Sequence, residues 1–128
     1  MEKKRILIVD DDIPLTKMVK INLEETGRYL VRVENQSTAA LTAAREFNPD
    51  LIFLDYIMPG MDGGDVSSRL HEDPHLKGVP IIMITALVSN SETGDLGMVM
   101  RGGHMMVAKP IKMANLLRCI EKRLMEAA

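Results

Sequence analysis

Three aspartates, a threonine and a lysine stand where short apolar runs end, and their types suit phosphoryl chemistry. Asp10 and Asp11 follow the run Arg5–Val9, and Asp55 follows Leu51–Leu54. Thr85 closes Pro80–Thr85, and Lys109, with Pro110, follows Met105–Ala108. Gathered without counter-ions, these carboxylates would repel one another, and a buried unpaired carboxylate costs several kcal/mol or gives up its charge. Asp10, Asp11 and Asp55 carry three negative charges, which one Mg²⁺ and Lys109 would balance. Mg²⁺ suits a site with few carboxylates, retained waters and room for a phosphate oxygen. Such a site can transfer a phosphoryl group when a carboxylate is the nucleophile and cations hold the equatorial oxygens. Asp55 is the expected nucleophile, Lys109 the balancing cation and Thr85 the hydroxyl donor.

For these residues to meet, the runs before them must be strands of one sheet with their ends on the same side. Arg5–Val9, Leu51–Leu54 and Pro80–Thr85 are continuous apolar segments of strand length, and Met105–Ala108 is a last short one. Tyr29–Val33 alternates and carries Arg32, which predicts a sheet-edge strand. Helical stripes fall between them: Leu15, Met18, Val19 and Leu23, ended by Gly27; then Ala40, Ala43, Ala44 and Phe47, broken by Asn48-Pro49. Val66 and Leu70 mark a third helix with Asp62 as N-cap, and Ser89 with Glu92 has the spacing of a capping box for a fourth. Met113, Leu116, Leu117, Ile120 and Leu124 give the clearest periodicity, for a fifth. Buried strands alternating with helices predict an α/β domain, a doubly wound parallel sheet covered on both faces. Ligands of such sheets bind beyond the C-terminal strand ends, where the candidate residues stand.

The chain has 128 residues, enough for one domain (1–128) with a sizeable core, and its 46% hydrophobic content excludes a disordered chain. A net charge of −2 carries no footprint for nucleic acid or an anionic membrane. One cysteine, Cys119, allows no internal disulfide and suits a reducing compartment. The apolar run after MEKK is too short for a signal-peptide core or a membrane span, so a soluble cytoplasmic protein is expected. The start at Met1 argues against a missing N-terminal segment; a further domain beyond the last helix stays open, as does a dimer.

ILIVDDD, LIFLDYIMPGMDG, PIIMITA and the Lys-Pro after the last strand together resemble the receiver domain of bacterial response regulators, over about Lys4 to Leu124. The resemblance implies a flavodoxin-like, five-stranded parallel sheet in the order 2-1-3-4-5 with five flanking helices. It implies that Asp55 is phosphorylated by a histidine kinase or a histidine phosphotransfer protein. Asp11 becomes a direct Mg²⁺ ligand, Asp10 the holder of a metal-bound water, and the backbone carbonyl of Ile57 a further ligand beside Asp55. Thr85 becomes the switch hydroxyl, Lys109 the phosphate-binding lysine, and Lys109-Pro110 a candidate cis peptide. The implied output is a change of protein–protein contacts in two-component signalling, not turnover of a soluble substrate.

The chain also departs from the family. Met106 stands where an aromatic switch residue is usual, and Gly94 and Gly97 weaken the expected fourth helix by about 1 kcal/mol each. Ile57 and Leu87, two residues after Asp55 and Thr85, are apolar where polar groups can orient water, so slow self-dephosphorylation is expected. Two other readings stay open: a non-phosphorylated pseudo-receiver that only binds partners, and the receiver part of a longer regulator. An aspartyl phosphatase fits poorly, since an acid is expected two residues beyond its nucleophile and Ile57 stands there.

Structural readings compete at each position. Asp10 and Asp11 would serve as turn residues, and Asp12 is read as an N-cap, with Pro14 suited to the helix's first turn. Gly60, Gly63 and Gly64 read as loop and turn residues, with no dinucleotide or P-loop spacing. His71, His75 and His104 are too scattered for a zinc site. Met98, Met100, Met105 and Met106 are core by default, or an adaptable partner surface. Cys119 reads as a semi-buried packing residue.

Overall fold

A computed structural model describes residues 2–87, 98–101 and 103–127. Three strands form the centre of one sheet: β1 (Lys4–Val9), β3 (Leu51–Asp55) and β4 (Ile81–Thr85). β2 (Tyr29–Glu34) lies outside β1, while β6 (His104–Ala108) lies beside β4 and carries β5 (Val99–Arg101) at the far edge. The order is β2-β1-β3-β4-β6-β5. All neighbours are parallel except β5 and β6. The described helices are α1 (Ile13–Glu25), α2 (Ala40–Phe47), α3 (Gly63–Glu72) and α4 (Met113–Ala127), with a 3-10 turn over Ser37–Ala39.

Strand alternation sorts the side chains into two cores. Ile6, Ile8, Phe53, Ile82, Ile84 and Val107 share one with Val19 and Leu23 of α1 and Leu116 and Ile120 of α4. Leu7, Val9, Ile52, Leu54, Met83 and Met106 share the other with the alanines of α2 and with Val66 and Leu70 of α3. Each fully buried branched aliphatic side chain is worth about 1.5–3 kcal/mol, so the central strands are held rigidly from both sides. That rigidity fixes the strand ends, from which the polar residues project.

Local signals set the element limits. Asp12 caps α1, its side chain accepting from the Leu15 amide, and Pro14 sits in the first turn. Asp62 caps α3 in the same way, accepting from Asp65 N. α2 stops at Asn48, in the left-handed conformation at φ 57°. The outer edge of β2 is covered by α1: Glu24 accepts from Val31 N at 3.0 Å, and Lys20 donates to Val31 O at 2.7 Å.

The five-stranded order 2-1-3-4-5 needs one correction. The sheet has six strands, because Val99–Arg101 folds back antiparallel onto His104–Ala108, pairing Arg101 with His104. Gly103, at φ +81°, provides the tight reversal that a side chain would resist. The helix expected from Ser89 and Glu92, with Gly94 and Gly97, lies outside the described residues. Gly63 and Gly64 belong to the first turn of α3 and not to a loop. Met98 and Met106 are buried; of the four methionines considered as a surface, Met100 alone is largely exposed. Cys119 is fully buried in the α1/α4 core, and burial pushes its thiol up to about 11.

Candidate functional site

The C-terminal ends of β1, β3, β4 and β6 bring together the residues singled out from the sequence. β1 runs into Asp10, which is fully buried and whose amide bonds to Glu34 O, extending the pairing with β2. Its Oδ1 accepts from Asp12 N at 2.9 Å, turning the chain toward α1. Asp55 is the last residue of β3, buried and in register with Ile84 of β4. Asp11 is exposed beside them. Ligand atoms of Asp10, Asp11 and Asp55 lie within 4.8 Å of one another, and this is the group of carboxylates among the described residues close enough to share a metal.

Lys109 follows β6 and reaches across this group. Its Nζ lies 2.9 Å from Asp10 Oδ2 and 3.3 Å from Asp55 Oδ2. Its amide donates to Thr85 O, which continues the β4–β6 ladder by one residue, and the Lys109-Pro110 peptide is cis. Burial pushes Asp55 up to about 6, the nearby Asp10 adds to that, and Lys109 opposes it. Burial also works against the Lys109 charge, but its pairing with Asp10 and Asp55 outweighs this and raises its pKa. One lysine therefore does not neutralise the carboxylates. An all-oxygen donor set with surplus negative charge fits a hard divalent cation such as Mg²⁺.

Thr85 and Met106 stand on the other face of the sheet. Asp10, Asp55 and Lys109 follow the alternation of Ile8, Phe53 and Val107, on the α1/α4 side. Thr85 follows Met83, on the α2/α3 side where Met106 is buried. The Thr85 hydroxyl accepts from Leu87 N at 3.0 Å. Ile57 bends back over Asp55, its amide 3.4 Å from Asp55 Oδ1. The Ile57 and Leu87 side chains are 61% and 56% exposed on the two loops that flank the site.

Two positioning residues escaped the sequence reading. Asn35, just past β2, donates to Asp10 O at 2.8 Å and to Thr16 Oγ1 at 3.0 Å, tying the end of β1 to α1. Ser37 donates to Pro59 O and accepts from Met61 N, which clamps the loop after Asp55. Their only sequence signal is a small polar residue after an edge strand, which usually means no more than a turn.

Comparison with known proteins identifies the family and the fold. The family described as "Response regulator receiver domain" matches residues 6–121. The DNA-binding response regulator MtrA of Mycolicibacterium paratuberculosis is 40% identical over 123 residues, covering 95% of this chain and 52% of that protein. The phosphate regulon transcriptional regulatory protein PhoB of Pseudomonas aeruginosa is 41% identical over 87 residues, covering 67% of this chain and 37% of that protein. The chain thus spans about half the length of the first of these relatives, or less. Among solved structures, the chemotaxis protein CheY4 of Vibrio cholerae superposes with a TM-score of 0.79 at 27% identity, covering 94% of this chain and 98% of that one. A CheY-like receiver domain protein of Methanospirillum hungatei gives 0.79 at 26% identity, covering 98% and 97%.

Proposed function

Because the chain belongs to the response regulator receiver family, we propose that it accepts a phosphoryl group on Asp55 and transmits a signal by changing its protein contacts. The observation that carries this reading is the placement of Lys109 Nζ between Asp10 and Asp55, with Asp11 in ligand reach of both carboxylates. Asp10, Asp11, Asp55 and the backbone carbonyl of Ile57 would hold Mg²⁺. When bound, the ion supplies charge that balances the phosphoryl oxygens.

The donor is a phosphohistidine on a histidine kinase or a phosphotransfer protein. An Asp55 carboxylate oxygen forms the new O–P bond. The donor N–P bond breaks, its electron pair stays on the imidazole nitrogen, and that nitrogen takes up a proton from solvent. Asp55 must be ionised for this, and Lys109 favours that form. The Lys109 ammonium then faces a phosphoryl oxygen in place of a bare carboxylate. The Thr85 hydroxyl proton is free to point at another oxygen, since the hydrogen bond with Leu87 N uses only a lone pair. Movement of Thr85 is felt on the α2/α3 side of the sheet, where Met106 takes the switch position.

A second reading is favoured by the half-length match to MtrA: the chain is the receiving part of a longer regulator whose remainder binds DNA. Both readings require the same chemistry. It is tested by intact-mass analysis after acetyl phosphate treatment with Mg²⁺, with EDTA, and on Asp55→Ala. One phosphoryl adduct that needs both Mg²⁺ and Asp55 is expected. A folded, Mg²⁺-binding protein that gains no adduct would instead be a pseudo-receiver.

A further inference from the structure

At the opposite end of the sheet, where β4 and β6 begin, lies a cleft of about 580 Å³. His71, Lys77, His104 and Arg123 line it, and among the described residues no carboxylate does. This is unexpected in a chain of net charge −2. Basic residues do collect at helix C-termini, where they complement the dipole. That accounts for His71, in the last turn of α3, but not for Lys77, in the loop before β4, or His104, on β6. The four come from separate elements and converge on one cavity.

The cleft also has an apolar component. Met100 and Met105, on the two strands of the β5–β6 hairpin, line it beside Pro80 and Ile81. Its volume falls in the range of small-molecule sites, which pair an apolar lining with a few convergent polar groups. Lysine and arginine select an anion where the described lining offers no carboxylate, phosphate oxygens suit their donors, and imidazole N–H groups add hydrogen bonds. Methionine side chains adapt to a flat organic body.

We propose that this cleft binds an organic phosphate of nucleotide size, with its phosphates on Lys77, His104 and His71 and its organic part against Met100 and Met105. The site lies at the far end of the sheet from Asp55, so it remains accessible while a phosphodonor is docked. A bound phosphate joins the β5–β6 hairpin to the loop before β4 and to the end of α3. It therefore steadies the edge hairpin that begins the strand carrying Met106.

The test uses the ¹⁵N-labelled chain in EDTA, so that the carboxylate site cannot take a metal–nucleotide complex. It is titrated with ADP and, separately, with inorganic pyrophosphate. The expected result is saturable amide shifts at His71, Lys77 and His104 with ADP, and weaker binding of pyrophosphate. A Lys77→Ala/His104→Ala variant should bind ADP at least about tenfold more weakly. Lys77→Glu alone should do the same, which guards against misfolding of the double variant. Failure to saturate by about 10 mM ADP, unchanged affinity in both variants, or shifts centred on Asp55 would overturn the site. Pyrophosphate binding as tightly as ADP would overturn the organic part of the assignment.

Discussion

Lys109 stands nearer to Asp10, at 2.9 Å, than to Asp55, at 3.3 Å, and so is anchored on the carboxylate that is not the proposed nucleophile. The pairing explains how a fully buried Asp10 is tolerated, since an isolated buried charge is strongly unfavourable. Lys109→Ala leaves two buried carboxylates facing each other. The metal-free variant is expected to lose on the order of 2 kcal/mol, below the usual cost of a fully buried pair because the lysine side chain is 24% exposed. Mg²⁺ should recover part of that loss. Urea denaturation of wild type and variant, each with Mg²⁺ and with EDTA, checks this. An equal loss under both conditions would mean that the lysine is not balancing the carboxylates.

Asp55 gives the metal-free protein a pH dependence of definite sign. Its pKa rises from 3.8 to about 6 on folding, so the folded state binds the proton more tightly than the unfolded state. The group's stabilising contribution is complete below the unfolded pKa, fades as pH rises through about 6, and is absent above. Asp55→Asn, which cannot ionise, is therefore expected to raise the stability of the metal-free protein at pH 8, by on the order of 2 kcal/mol. At pH 4 the gain should vanish. Thermal unfolding of both proteins in EDTA across this range reads the difference directly, and a gain independent of pH would contradict the assigned cause.

Most of the candidate site was legible in the sequence because its residues follow runs whose burial is read from composition alone. Asp10, Asp55, Thr85 and Lys109 each end or follow a continuous apolar strand, and parallel strands put such ends on one side. The β5 strand was not legible in the same way. Val99–Arg101 is a three-residue edge strand with its last two residues exposed, so no periodicity separates it from a helix end. The Gly-Gly pair before His104 in the sequence was its only signal. Gly63 was misread for a different reason: a glycine required by close packing looks like a glycine required by a turn.

That close packing yields a paired prediction. A Cβ on Gly63 would come 2.6 Å from Asp55 O and 2.8 Å from Tyr56 Cα, and backbone at these distances cannot step aside. Gly63 N also donates to Tyr56 O at 2.8 Å, which locks α3 onto the end of β3. Gly63→Ala is expected to cost about 1–3 kcal/mol and to slow phosphorylation by displacing the Asp55 loop. Gly64, next along the helix, would place its Cβ 3.3 Å from the Asp62 side chain only. Gly64→Ala should be nearly neutral, its helix propensity gain of about 1 kcal/mol offset by adjustment of the cap. Denaturant midpoints for the two variants should separate widely; similar midpoints would show that the contact at Gly63 relaxes easily.

Under the proposed function, the lifetime of a phosphorylated Asp55 would depend on the two loops that flank the site. A water attacking phosphorus in line needs a hydrogen-bonding group to orient it and accept its proton. Ile57 and Leu87, 61% and 56% exposed beside Asp55 and Thr85, offer neither. Both are too exposed to hold the core together, so changing them should leave stability within about 0.5 kcal/mol of wild type. An altered lifetime would then report on hydrolysis and not on unfolding. Ile57→Asn supplies an amide on the loop whose own N–H already bends toward Asp55. It should shorten the acyl-phosphate lifetime severalfold, in the range of about 1 kcal/mol in activation free energy. Leu87→Asn should act in the same direction from the other loop. The decay is followed by intact mass after the phosphodonor is removed, with a melting curve for each variant alongside. If both lifetimes match wild type while the melting curves stay unchanged, the limit on hydrolysis lies elsewhere, and the site itself holds water away from the phosphorus.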